Sequence, residues 1–319
     1  MLDLVINVIN NKLIVAAGAN FPDKMPWQGG KKAYYNNIVI FKKEKGQVLQ
    51  ETIATSLVSN IAYAANCSTP FGIVFAGGEN ELGLSDKVYL LKWDEASNNL
   101  LQTKLPDLPV KTTNGSLVCI DKILYFLGGE TLVNTTNQFF SLNLNKINDG
   151  WTMLPAIPKP LSNTVVVAQY LNGQKQIYLM GGRAKQKNGI SDFSSDVYSF
   201  DIHLKRWDKK KSLPYPISAG TGAVVTEKYI LLFGGDRGEQ FNKVEQFNEA
   251  TQVLIDAGIP YQSEDSHQFF DPSYLHNDAT RDIRVLVQQN DFGKANTAFK
   301  KFYTDQLDKV DPTYFLFQF

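Results

Sequence analysis

The chain has 319 residues, 43% hydrophobic and 12% aromatic, a composition that excludes intrinsic disorder and allows one large β domain or two ordinary ones. Its 32 basic and 32 acidic residues cancel, so charge gives no reason to expect a nucleic-acid partner or an anionic membrane. It contains no run of 18 apolar residues, so no transmembrane helix is expected.

The segment from Met1 to Asn7 lacks a basic n-region and a small-residue cleavage site. No leader is visible, and the segment reads as a strand already inside a repeat. Next comes the apolar run Leu13-Ile14-Val15-Ala16-Ala17-Gly18, then a loop spanning 18–35 that holds Phe21, Met25 and Trp27 among prolines and glycines, followed by Lys31 and Lys32. Large apolar side chains in such a loop are costly unless they pack on something. Either the loop caps its own blade, or Trp27 offers a stacking face to a sugar while Lys31 and Lys32 bind a carboxylate.

From there a glycine doublet recurs after an apolar strand, at Gly77-Gly78, Gly128-Gly129, Gly181-Gly182 and Gly234-Gly235, in steps of 51, 53 and 53 residues. Ala17-Gly18 is a weaker first copy. A fixed period near 50 marks one repeated supersecondary unit. Each unit then carries an alternating strand such as Val88-Tyr89-Leu90-Leu91-Lys92-Trp93, and a last strand near Trp151 or Trp207. It ends in a proline signal: Leu105-Pro106-Asp107-Leu108-Pro109, Leu154-Pro155-Ala156-Ile157-Pro158 or Leu213-Pro214-Tyr215-Pro216-Ile217. Four short strands with Gly and Pro punctuation predict a β-propeller blade. The doublet would serve unusual backbone angles or close approach to the next blade. The aromatics would fill the wedge between blades, and the proline segment would cross between them as a stiff connector.

In a propeller the loops after the doublets gather at one end of the central channel. The residues there are Glu79, Glu130, Arg183 and Asp236, with Asn20 in the first copy. They either bind a ligand or hydrogen-bond their own loops. Cys67 and Cys119 fall in neighbouring repeats without metal-type spacing and are read as free thiols rather than a disulfide. His203, His267 and His276 form no ligand cluster, so neither a metal nor another cofactor is expected, and a copper-radical redox propeller is set aside. Lys209-Lys210-Lys211 is read as a solvated turn. Phe241, Val244 and Phe247, and later Phe292, Ala295, Phe299 and Phe302, recur at helical spacing. The propeller units are thus assigned to 1–250, and 251–319 to a helical insertion or tail of the same domain.

This grammar resembles kelch repeats over roughly residues 1–250. Gly18-Ala19-Asn20-Phe21-Pro22, followed by Met25-Pro26-Trp27 and Gly29-Gly30-Lys31-Lys32, resembles the signature loop of the N-acetylneuraminate epimerase (sialic acid mutarotase) family, in its cyclically permuted branch. The resemblance implies an all-β, six-bladed kelch propeller that interconverts the anomers of free sialic acid, a bacterial protein of carbohydrate metabolism. It also implies a periplasmic location, although the absent leader points to the cytoplasm for the chain as written. Five blade units are recognisable. The family's catalytic blade, Asn-Gly-Glu-x-Lys-x-Gly-x-Arg-Thr, has no counterpart before Phe319, so its roles pass to no residue by position. An open five-blade ring would expose apolar faces, so closure by the tail, including 314–319, or by a second copy in a homodimer is expected.

The resulting expectation is a mutarotase acting on N-acetylneuraminate or a related sugar acid. Glu79 and Glu130 are its candidate acid and base. Asn20, Trp27, Lys31, Lys32, Arg183 and Asp236 are its candidate substrate-binding residues. The rival expectation is a non-catalytic kelch propeller that binds a glycan or protein partner through its loop face.

Overall fold

The computed structural model describes residues 4–9, 12–24, 29–44, 47–51, 55–171, 174–185, 191–224 and 229–236. The chain divides into two units, Met1–Gly238 and Glu239–Phe319, and every described residue belongs to the first. The helical spacings beyond Phe241, the tail 314–319 and Trp27 lie outside the described residues.

In chain order, β1 (Val5–Ile9) and β2 (Lys12–Ala16) are followed by a short pair, β3 (Ala19–Asn20) and β4 (Ala33–Tyr34), and then by β5 (Ile38–Glu44) and β6 (Gln47–Glu51). The second group is β7 (Ala65–Thr69), β8 (Gly72–Ala76), the short pair β9 (Glu79–Asn80) and β10 (Gly83–Leu84), β11 (Val88–Asp94) and β12 (Asn99–Leu105). The third is β13 (Ser116–Ile120), β14 (Ile123–Leu127), β15 (Phe139–Asn143) and β16 (Thr152–Met153). The fourth is β17 (Val165–Leu171), β18 (Gln174–Met180), the short pair β19 (Arg183–Lys185) and β20 (Ser191–Phe193), β21 (Val197–Asp201) and β22 (Arg206–Lys209). Of the fifth, β23 (Thr221–Val224) and β24 (Ile230–Phe233) are described.

The long strands of each of the first four groups make one four-stranded antiparallel sheet. No α-helix occurs among the described residues. The first strand of each sheet touches the first strand of the next, β1 with β7, β7 with β13, β13 with β17 and β17 with β23. That is the radial order of a β-propeller, and the doublet closing each second strand makes the blades kelch-type.

The second strands read as continuous apolar runs because a blade sits on each of their faces. Alternate residues of β14 therefore enter different cores. Leu124 and Phe126 pack with Val74, Val88 and Phe140, while Tyr125 and Leu127 pack with Ile177, Leu179 and Phe200. Strand β8 divides in the same way, Ile73 and Phe75 to one side and Val74 and Ala76 to the other. The expected aromatic wedge is present: Phe139 meets Phe200 edge-on at 4.8 Å, and Trp207 lies 5.0 Å from Phe200.

The first two proline connectors are each tied to a tryptophan of the following blade. Trp151 Nε1 donates to the Pro106 carbonyl at 2.9 Å, and Trp207 Nε1 donates to that of Pro155 at 3.0 Å. Trp93 sits on a third strand instead, and its buried indole N–H has no partner among the described residues. The third connector runs in a shifted register. Leu213 N–H donates to the Ser195 carbonyl just as Leu108 and Ile157 donate to those of Asp86 and Asn137. Leu213-Pro214 thus matches Leu108-Pro109 rather than Leu105-Pro106.

Two smaller readings resolve here. Cys67 and Cys119 are free and half-buried, with burial pushing both thiols up. Lys209 is the last residue of β22 rather than part of a turn, and its ammonium pairs with Asp196 at 3.0 Å.

Candidate functional site

The site is built where the inner hairpin of each blade runs past its doublet. Both glycines take positive φ, for example 60° and 99° at Gly128 and Gly129, a region that side chains avoid. A Cβ on Gly128 would lie 2.2 Å from the Leu161 carbonyl oxygen of the incoming connector. The chain then rejoins its hairpin partner through a reciprocal backbone pair: Glu79 with Ala62, Glu130 with Thr113, Arg183 with Ser162, and Asp236 with Ser218. These pairs fix the residue after each doublet at the same end of the molecule.

A second recurrent element was not visible as a motif. The residue after each hairpin partner is left-handed: Tyr63 at φ 58°, Asn114 at 56°, Asn163 at 51° and Ala219 at 55°. Their backbones join blade to blade, with Asn114 N–H donating to Tyr63 O (3.1 Å), Asn163 N–H to Asn114 O (2.9 Å) and Ala219 N–H to Asn163 O (2.9 Å). Asparagine tolerates this conformation, whereas a tyrosine there is uncommon. This collar separates two cavities, since all four residues line both. On one side is a channel of about 610 Å³ between the first strands; on the other is a cavity of about 520 Å³ at the doublet end.

The 520 Å³ cavity gathers Lys32, Glu79, Glu130, Arg183 and Lys185 with Tyr63, Thr113, Asn114, Asn163, Leu84 and Leu132. Two ion-pair clusters stand in it. In the first, Glu79 Oε1 accepts from Tyr34 Oη at 2.8 Å and from Lys32 Nζ at 3.1 Å, and Lys32 Nζ lies 4.5 Å from the Tyr63 ring centroid. Burial lowers the Lys32 ammonium, but the side chains of Tyr63 and Glu79 outweigh it and hold it above the ordinary lysine range. Burial, followed by the hydrogen bond to Glu79, pushes the Tyr34 phenol up to about 12.

In the second cluster Glu130 is only 2% exposed. Its Oε1 accepts from Ser162 Oγ at 2.8 Å and lies 3.6 Å from Arg183 Nη2, and its Oε2 pairs with Lys185 Nζ at 2.5 Å. Burial alone would raise this carboxyl. The bonds from Lys185 and Ser162 and the charges of Lys185 and Arg183 overcome that effect and hold it below the ordinary range. With the Asn163 amide oxygen facing the guanidinium, Asn163 accepts from Arg183 Nε at 3.2 Å and Nη2 at 3.3 Å, and its Nδ2 donates to Asn114 Oδ1 at 3.3 Å.

Of the residues expected from sequence, Glu79, Glu130, Arg183 and Lys32 thus share one cavity. Asn20 does not line it. Ala17 (φ 66°) and Gly18 (φ 99°) occupy the doublet, so Ala19 is the position equivalent to Glu79. Asn20 falls one residue later, where its Oδ1 accepts from Tyr35 Oη at 2.7 Å. Lys31 and Asp236 are exposed and are not among the lining residues. Sequence reasoning missed Lys185, Thr113, Asn163 and Tyr34. Lys185 and Tyr34 had a signal, since each stands two residues after a predicted cation and so on the same face of an extended segment.

Three cations and two carboxylates leave the cavity one positive charge in excess, amid hydroxyl and amide groups. Such a lining suits a singly anionic, hydroxyl-rich small molecule. Among the described residues no group of His, Cys, Asp or Glu is arranged to hold a metal.

Comparison with known proteins agrees with this architecture. The structure of YjhT superposes with a TM-score of 0.57 at 14% identity, covering 74% of this chain and 77% of that one. N-acetylneuraminate epimerase 1 of Escherichia coli O6:H1 is 25% identical over 109 residues, 33% of this chain and 28% of the relative. N-acetylneuraminate epimerase of Vibrio vulnificus is 27% identical over 143 residues, 43% of this chain and 35% of the relative. The chain therefore matches about a third or less of the length of these relatives. The family model for N-acetylneuraminate epimerase matches residues 105–270, just over half of the chain and including three of the doublets and both Glu130 and Arg183. By that match, on a kelch propeller with its doublets in register, the chain belongs to the N-acetylneuraminate epimerase family.

Proposed function

We propose that this protein interconverts the anomers of a free sugar acid, N-acetylneuraminate or a close relative, in the doublet-end cavity. The observation that carries the reading is that two of the three post-doublet carboxylates, Glu79 and Glu130, face one cavity and each is paired with a cation there. Mutarotation needs little more. A base accepts the proton of the anomeric hydroxyl while an acid protonates the ring oxygen. The ring C–O bond breaks to give the open ketone, which rotates and recloses as both protons return. The excess positive charge of the cavity supports binding of the sugar's own carboxylate, and the names of the matched relatives support the choice of sugar.

The test is proton NMR of N-acetylneuraminate freshly prepared as one anomer, following equilibration with and without the protein. Acceleration is expected, and at least one of Glu79→Gln and Glu130→Gln should lose more than about tenfold of it. Losses of about tenfold or less in every cavity variant would sink the assignment.

A second reading has one observation in its favour. Leu82, Leu132 and Val133 are 88–91% exposed at the tips of the loops after two doublets, as a partner-binding propeller would present them. A folded sample that binds the sugar acid without accelerating its anomerisation would favour that reading.

A further inference from the structure

We propose that the two ion-pair clusters divide the work: the carboxylate of the ligand docks on Arg183 and Lys185 beside Thr113, Glu130 positions those cations from behind, and Glu79 is the group that exchanges protons. The assignment of Glu79 rests on the mutarotase reading. The anion site does not.

Charge decides where an anion goes. Lys32 and Glu79 cancel, with Tyr34 neutral beside them, whereas Arg183 and Lys185 share the single carboxylate of Glu130. The excess positive charge therefore lies at the second cluster. Its cations are also accessible, Arg183 with 30% and Lys185 with 53% of the side chain exposed, against 2% for Glu130. A ligand oxygen can reach the two cations and not the carboxylate between them.

Those cations are aimed in advance. The Asn163 amide holds the guanidinium through two of its N–H groups and leans in turn on Asn114. The Lys185 backbone is fixed by its N–H, which donates to Thr135 Oγ1 at 2.9 Å, and its ammonium is held by Glu130 Oε2 at 2.5 Å. A planar guanidinium already oriented by one amide keeps donors free for a carboxylate.

The Thr113 hydroxyl points the same way. It lines this cavity, its residue is 4% exposed, and Oγ1 has no partner among the described residues. Buried hydroxyls are ordinarily hydrogen-bonded, so one left unpaired on a cavity wall marks a place where a ligand oxygen or a water belongs. Thr113 is the hairpin partner of Glu130, which puts the spare hydroxyl at the cluster with the spare charge.

The same geometry separates the carboxylates. Glu130 is buried, with both oxygens occupied by Ser162, Arg183 and Lys185. In Glu79 one oxygen takes both Tyr34 and Lys32, while Oε2 has no partner among the described residues and the side chain is 22% exposed. Glu79 Oε2 is the carboxylate oxygen able to accept the anomeric proton and to return it on reclosure. The adjacent Lys32 ammonium supplies a proton to the ring oxygen and recovers it, so no net proton is consumed.

Two measurements test this. Calorimetric titration of the intact protein with N-acetylneuraminate and with its uncharged methyl ester should show the ester bound at least about tenfold more weakly. Lys185→Met should lose about tenfold for the acid while leaving the ester unchanged, with Arg183→Met as a second variant if its fold survives thermal melting. An ester that binds as well as the acid, or a Lys185→Met variant with wild-type affinity for the acid, overturns the anion site. In the NMR assay Glu79→Gln should lose more than about a hundredfold in kcat with little change in KM, whereas in Glu130→Gln the change in KM should exceed the change in kcat. The reverse pattern overturns the division of roles. A wild-type protein that discriminates acid from ester but never accelerates anomerisation removes the mutarotase reading and leaves the anion site standing.

Discussion

Asp196 shows at single-residue resolution how charge holds neighbouring blades in place. Its carboxylate takes Lys159 Nζ from the preceding connector at 2.5 Å and Lys209 Nζ from the end of β22 at 3.0 Å. The Lys159 hydrogen bond leads, with Lys209 adding to it, and against the cost of burial they pull the carboxyl down to about 2 from its ordinary 3.8. A depressed folded value means the contribution to stability is complete above the unfolded value and is lost as pH falls through the folded one. Stability should therefore decline between about pH 4 and pH 2, and Asp196→Asn should remove that part of the decline. Because Lys209 is largely exposed and Lys159 partly so, screening reduces the expected cost near neutral pH to about 1 kcal/mol. Urea titrations of both proteins across that range check the sign and the size.

At the scale of the element, the doublets were legible because a backbone demand selects glycine whatever surrounds it. How strict the demand is depends on the neighbour. At Gly128 an added Cβ meets the Leu161 carbonyl oxygen at 2.2 Å, and at Gly181 it meets that of Ile217 at 2.2 Å, whereas at Gly234 it meets nothing within 4 Å among the described residues. Ala17, at φ 66°, shows that alanine can occupy the first doublet position. Gly128→Ala should therefore cost about 2–4 kcal/mol, read from chemical denaturation midpoints. The connectors give a second test. Trp207→Phe keeps an aromatic ring against Phe139 and Phe200 but loses the hydrogen bond to the Pro155 carbonyl, so it should lower stability by about 1–2 kcal/mol. The shifted register of Leu213-Pro214 was not legible, because an aliphatic residue followed by proline occurs at both ends of the earlier connectors and only the hydrogen-bond partners tell the two apart.

For the described propeller as a whole, no blade owns its core. Phe139 of the third blade packs with Ile177, Leu179 and Phe200 of the fourth, so removing it leaves a void between two sheets. Phe139→Ala should cost about 3–5 kcal/mol. Hydrogen exchange should then accelerate together in β14 and β18 rather than in β14 alone, because both line the same cluster. Exchange confined to one sheet would show the blades to be independent. The same sharing between blades makes the site: Glu79, Glu130 and Arg183 come from three successive hairpins and meet only because the collar from Tyr63 to Ala219 joins those hairpins.

The sequence by itself determined the repeat, the strand content and the residues that follow each doublet. All three depend on local requirements, namely the period of side chains along a strand, the freedom of glycine and the stiffness of proline. It also led to Lys32, through a loop whose composition is unusual for its length. The tertiary structure alone decided which of these residues are neighbours. Asn20 misses the cavity because it stands two residues after Gly18, one position past the place that Glu79 takes after Gly78. Thr113 takes its place from its hairpin pairing with Glu130, and Asn163 and Lys185 take theirs from hydrogen bonds to the preceding blade, at Asn114 and Thr135. Glu130 and Glu79, equivalent by position, differ because one is enclosed by three partners and the other keeps an oxygen without one among the described residues. Burial and partnership are set across blades, and no local pattern encodes them.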